Sequence, residues 1–185
     1  MAYSRRCLES HGGGQIITMD GKVHNIPKWD LMIAHPPCTY LSNVCTSGFS
    51  LKASSPEYVV NRWENRAKGA VFFMHFALSQ IDKVCVENPV GFMNTAYRKP
   101  DQIIHPYMFA ESVDDKENYV TKRTCLWLKN LPKLIGNDIP KPDNGVLFGK
   151  LSNGKNKDWT GVNHGSKARS KTFPGIAKAM AEQWG

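Results

Sequence analysis

Nowhere in the 185 residues does an apolar run approach the length needed to cross a bilayer, and the opening MAYSRRCLESHGGG carries no apolar core of a secretory leader. No membrane association is expected, and the expected location is the cytoplasm. Paired C-x-x-C motifs are also missing. The five cysteines (Cys7, Cys38, Cys45, Cys85 and Cys125) are odd in number and isolated, which argues against both a disulfide framework and a zinc ribbon. A zinc site assembled from His35, Cys38, Cys45 and a distant histidine is conceivable, but Pro36 and Pro37 stiffen the segment and the spacing matches no common paired-ligand motif. No metal is expected. Internal repeats are absent, and acids are in short supply: 16 against 24 basic residues leave a net charge of +8 and a pI near 9.3. That excess points weakly to a polyanionic partner, although small basic proteins that touch no nucleic acid also have it.

What is present suits one hydrophobic core, so a single domain over 1–185 is expected. The segment QIITMDGKV (15–23) reads as two extended pieces around Asp20-Gly21, a strong turn dipeptide. Asp30 to Ala34 (DLMIA) is a short apolar run closed by Pro36-Pro37, the pattern of a buried strand feeding a loop. Residues 38–56 form a long polar loop. Between Glu57 and Gln80 the residues Val60, Trp63, Ala67, Val71, Met74 and Leu78 recur at three- and four-residue spacing, which predicts a helix with that stripe against the core. Its aromatic residues Trp63, Phe72, Phe73 and Phe76 are read as packing. Ile81 to Val86 (IDKVCV) is a second strand, ended by Glu87-Asn88-Pro89. Strand, helix, strand is a βαβ unit with parallel strands. Its consequence is that the Pro-Pro-Cys and Glu-Asn-Pro segments both leave the carboxyl ends of strands, the edge where open α/β sheets place ligands. A further strand is expected over Thr121 to Leu128 and a closing helix over Ala177 to Trp184. From 141 to 171 seven basic residues stand against two acids among glycines, a candidate DNA-contacting insert or simply a solvated loop.

Cys38 follows a proline at the mouth of that sheet, where a thiolate is favoured, whereas Cys85 and Cys125 lie inside apolar strands and read as inert. Glu87 directly follows Val-Cys-Val. A desolvated carboxyl that keeps its proton can donate a hydrogen bond to a ring nitrogen; a salt bridge or a helix cap is the alternative, and position alone leaves both open.

HPPCTYLSN and ENPVGFMN resemble the proline-cysteine and glutamate-asparagine motifs of DNA cytosine-C5 methyltransferases. Pro37, Cys38 and Ser42 match the first, with Leu41 where the family often has Phe; Glu87 and Asn88 match the second, with Pro89 where many members have Val. The likeness is closest to small phage- and prophage-encoded members and runs on through WDLMIAHPPCTYLS, RKPDQIIHPYMF, KRTCLWLKNLPKL and GIAKAMAEQWG. It implies an α/β, Rossmann-like methyltransferase sheet with helices on both faces, incomplete at its beginning. Cys38 would attack C6 of a flipped or unpaired cytosine and Glu87 would hold N3. Pro36, Pro37, Ser42, Asn88 and Pro89 would line the base site. Arg123 would contact base or phosphate, unless it is a solvent-facing charge on an edge strand.

The same resemblance implies DNA as partner and S-adenosylmethionine as cofactor. Here the chain departs from the pattern: no aromatic, glycine-rich cofactor loop is evident before Trp29, and no apolar strand precedes Gly12-Gly13-Gly14. Glu9 or Asp20 would then be a remnant of the cofactor-contacting acids. Lys155, Lys157, Lys167 and Arg169 would meet phosphates. Sheet edges left open would favour a homodimer. Two rivals stand beside this reading: a non-catalytic phage-type binder of a nucleotide or nucleic acid that has lost its cofactor, and a cysteine-dependent reaction on a nucleobase that needs no methyl donor.

Overall fold

The computed structural model describes residues 14–18, 20–143, 150, 152–155 and 172–185. Where one domain is expected from the sequence, the chain gathers into two compact units: Met1–Asp101 with Leu126–Leu131, and Gln102–Cys125 with Pro132–Gly185. Both helices and strands are present, so the protein is α/β. Among the described residues no helix is long and apolar enough to cross a membrane.

In the first unit, β1 (Gly14–Ile17) and β2 (Val23–Ile26) form an antiparallel pair with Gly14 opposite Ile26. The Asp20-Gly21 turn closes through Thr18 N–H to Lys22 O and Gly21 N–H to Thr18 O, both 2.9 Å. Gly21 has φ +81°, which a side chain resists and glycine adopts freely. This hairpin is a sheet of its own.

The βαβ unit is present. β3 (Leu31–Ala34) and β4 (Lys83–Pro89) are parallel, in register from Leu31 opposite Lys83 to Ala34 opposite Val86. Between them runs α1 (Pro56–Ala77). Ser55 caps it by accepting from Tyr58 N–H, Pro56 occupies the first turn where no donor is missed, and Glu57 complements the helix dipole. Beyond its carboxyl end Lys129 Nζ donates to the carbonyls of Ser79 (3.0 Å) and Ile81 (2.9 Å). That contact sets the carboxyl end of β6 (Thr124–Lys129) at the amino end of β4, its neighbour in the sheet. Val84, Cys85 and Val86 are all buried, so β4 is covered on both faces. The Phe73 ring meets the edge of Trp127 at 5.0 Å, and the Trp127 indole N–H donates to Arg98 O.

Three expectations need correction. The helix does not bury the stripe read from its spacing: Val60, Trp63, Val71 and Leu78 are exposed, and Val59, Arg66 and Phe73 are buried instead. The polar loop after Cys38 is not featureless, because Asn43–Phe49 forms a 3-10 helix capped by Ser42. Strand β4 runs on through Pro89, which places Glu87 within it rather than after it.

In the second unit, β5 (Gln102–Ile104) is followed by a 3-10 turn over Pro106–Phe109, and α3 (Pro174–Trp184) closes the chain, starting three residues earlier than expected. Gly175 N–H donates to Asn118 Oδ1 and the Trp184 indole to Pro132 O, while Phe109, Ile176, Met180 and Trp184 are buried. The first unit also holds α2, a single turn over Met93–Ala96.

Candidate functional site

Parallel register brings the two motif segments side by side. The last paired residues are Ala34 and Val86, so His35 and Glu87 are the next positions on adjacent strands. His35 Nδ1 lies 2.6 Å from Glu87 Oε2, with both side chains only partly exposed. Of the alternatives left open for Glu87, a hydrogen bond to a side chain, that of His35, is therefore present. Nothing local in the sequence singles out His35 as that partner; the only signal is its place one step past the register.

Asn88 is buried and spans the gap, its amide donating to Pro36 O at 2.8 Å and to Glu87 O at 2.9 Å. Its Oδ1 is buried with no hydrogen-bond partner among the described residues. An unsatisfied buried acceptor costs on the order of 1–3 kcal/mol.

A second set of bonds lies further on. Asn43 N–H donates to Val90 O (3.2 Å), Phe92 N–H to Leu41 O (2.7 Å), and Ser42 bridges to Gly91. Gly91 has no room for more, since an added Cβ would sit 2.0 Å from Leu41 O. The Cys38 carbonyl accepts from both Leu41 and Ser42 N–H at 2.9 Å, folding the loop into a turn. Ser42 itself is buried, its hydroxyl accepting from Val44 N–H. Pro36 is buried, Pro37 exposed and Pro89 half-buried.

Cys38 is partly exposed, while Cys85 and Cys125 are buried. Burial first, then the charges of Glu87 and Asp101, pushes the Cys85 thiol up to about 12. Cys38 therefore has the exposure that a nucleophile needs, and Cys85 has neither exposure nor ionisation.

Two arginines from α1 pin the cysteine loop. Arg66 is buried, donates from Nε to Tyr40 O at 2.9 Å, and lays its guanidinium 3.4 Å from the centre of the Phe49 ring and 5.0 Å from that of Phe92. Arg62 sits 4.7 Å from the Phe49 ring centre, 5.2 Å from that of Tyr40 and 5.7 Å from that of Tyr58. The sequence pattern hides both, because basic residues on a helix ordinarily face solvent.

The other anticipated residues lie elsewhere. Arg123 is exposed and precedes β6, in the second unit. Lys155 is exposed; Lys157, Lys167, Arg169 and Glu9 lie outside the described residues. Asp20 is exposed in the hairpin turn, bonded to the Thr18 hydroxyl and paired with Lys22 Nζ at 3.0 Å. Those bonds, Thr18 first, hold its carboxyl below the usual range. Asp20 therefore does not stand where a ribose-binding acid would. A ribose-binding acid belongs at the carboxyl end of a parallel strand, whereas Asp20 belongs to a separate antiparallel hairpin and β3 ends its own sheet. No group of three or more metal-ligating side chains is clustered among the described residues.

A hollow of about 470 Å³ near Ser79, Tyr97, Arg98 and Lys129, and one of about 490 Å³ near Glu111, Asp115 and Lys178, are both lined without Cys38 or Glu87. At the level of class, the chain is an α/β protein whose βαβ unit carries a cysteine loop hydrogen-bonded to a glutamate-bearing strand. Comparison with family models, with curated proteins and with solved structures finds no match for the chain.

Proposed function

We propose that the chain is a DNA cytosine-C5-methyltransferase-like protein that takes an unpaired or flipped cytosine, with Cys38 attacking C6 and Glu87 holding N3. One observation supports this above the others: Asn88 and the Leu41–Phe92 bonds tie the cysteine loop to the strand that bears Glu87, whose side chain is hydrogen-bonded to His35. Loops fixed in this way pre-organise a nucleophile and an acid on one substrate.

The chemistry follows from the ring. C5 of cytosine is a poor nucleophile until a thiolate adds at C6, which leaves an enamine. As the sulfur–C6 bond forms, negative charge develops towards N3. The proton held between His35 Nδ1 and Glu87 passes through the Glu87 carboxyl to N3 as that charge appears. C5 then takes a proton from water. The hydroxide left by that water removes the original C5 proton, the thiolate departs and the N3 proton returns to the Glu87–His35 pair, which restores the base. The net result is exchange of the C5 hydrogen with solvent. Methyl transfer lies outside these steps, because Asp20, the described candidate for a cofactor contact, sits in a separate hairpin.

The position of Asp20 favours a second reading, a nucleotide or nucleic-acid binder that works without S-adenosylmethionine. Two measurements separate the readings. Single-stranded DNA carrying tritium at C5 of cytosine should release it to water with wild-type protein and with Cys85→Ser, and not with Cys38→Ser. Glu87→Gln should slow release by roughly 10²-fold or more. DNA containing 5-fluorocytosine should trap Cys38 when S-adenosylmethionine is bound, and calorimetry reports whether it binds. Protein that binds DNA yet neither exchanges nor traps would leave the non-catalytic binder standing.

A further inference from the structure

The face of α1 beside the cysteine loop presents more aromatic surface than the fold consumes. Both arginines pin the loop and Trp63 meets Phe49 edge-on at 5.2 Å and Arg66 at 4.9 Å, yet Tyr58 and Trp63 still leave 49% and 47% of their surfaces open. Arg62 stands beside Tyr58, donating to its hydroxyl at 3.3 Å, so ring and cation are offered together. The loop side continues the pattern with exposed Val44, Leu51 and Lys52. Between Tyr58 and Trp63 the helix carries no acid, and Glu57 and Glu64, both exposed, flank that stretch.

We infer that this surface binds single-stranded polynucleotide, with bases stacked on Tyr58 and Trp63 and a phosphate held by Arg62. It rests on the reading of Cys38 as a base nucleophile and names the form of the substrate: unpaired strand rather than duplex. Ring faces beside a guanidinium match the alternation of base and phosphate along a strand, and every base has a face to stack. A duplex offers no such faces, because its bases are stacked on one another, and it would be held by cations alone. The surplus of positive charge over the whole chain acts in the same direction. The occupied surface adjoins the loop that carries Cys38, since Phe49 and Tyr40 touch both arginines.

The test is fluorescence anisotropy of the full chain with a labelled mixed-sequence single strand and with the same sequence as duplex. The single strand should bind at least about tenfold more tightly. Tyr58→Leu should weaken it by about tenfold, while Tyr58→Phe, which keeps the ring and loses only the hydroxyl that Arg62 donates to, should retain most of the affinity. Arg62→Gln should flatten the dependence of log affinity on log salt by about 0.7. Far-ultraviolet circular dichroism and urea midpoints confirm that each variant is folded. Equal or tighter duplex binding, or an unchanged Tyr58→Leu, overturns the inference. Tritium release judges the base chemistry separately. If wild-type protein discriminates strand from duplex but releases no tritium, the surface stands and the Cys38 reading fails; if it releases tritium while Tyr58→Leu binds unchanged, the reverse holds.

Discussion

Cys38 and Cys85 are the same side chain in opposite surroundings. Cys85 is held protonated by burial and by the nearby carboxylates, up to about pH 12. Alkylation by iodoacetamide at pH 8, followed by peptide mapping, should therefore mark Cys38 in the folded protein and spare Cys85. The same shift links to stability. The folded thiol keeps its proton while the unfolded one, with an ordinary value of 9.0, loses it, so stability contributed by Cys85 is intact below pH 9 and is lost as pH rises towards 12. Urea midpoints of wild type and Cys85→Ala, compared between pH 8 and pH 11, should converge as pH rises. This contrast is legible in the sequence, because one cysteine follows a proline and the other sits within an apolar strand. The role of His35 is not: it comes from strand register, which no local pattern reveals.

The helix α1 shows why periodicity can point to the wrong face. Two stripes, displaced by one residue, both satisfy three- and four-residue spacing. The more apolar one, Val60, Trp63, Val71 and Leu78, faces outward, and the buried one contains Arg66. Arginine ordinarily argues against burial, yet this guanidinium lies flat on aromatic rings and its Nε is satisfied by a carbonyl. Gly69 belongs to the same buried side, where a Cβ would rest against Leu41. Single substitutions read the face directly. Val71→Lys should change stability by no more than about 0.5 kcal/mol, as exposed sites do. Phe73→Ala, at a fully buried ring against Trp127, should cost about 3–5 kcal/mol by urea denaturation. The 3-10 helix Asn43–Phe49 is hidden in the sequence for the opposite reason: it has no apolar period and depends on contacts with α1.

Over the whole chain, the surplus of eight positive charges predicts binding that weakens steeply with salt. Replacing Lys155, Lys157 and Lys167 by alanine together should lower the slope of log affinity against log salt by about 0.7 for each phosphate that these lysines neutralise on a single strand. An unchanged slope in titrations at several salt concentrations would assign the polyanion to the α1 face alone. The βαβ unit is legible because short apolar strands, turn residues and a long helix carry strong local signals, although β4 runs on through Glu87 to Pro89. The division into two units is not, since it depends on which distant segments meet. Leu126–Leu131 belongs with the first unit although the second surrounds it in sequence on both sides. Neither unit is one stretch of chain. A break after Asp101 therefore leaves every residue of the second unit downstream but strips the first of Leu126–Leu131, which holds most of β6. A piece of gene that ends there encodes both motifs without the strand beside β4, and one that keeps the first unit whole must carry Gln102–Cys125 along with it.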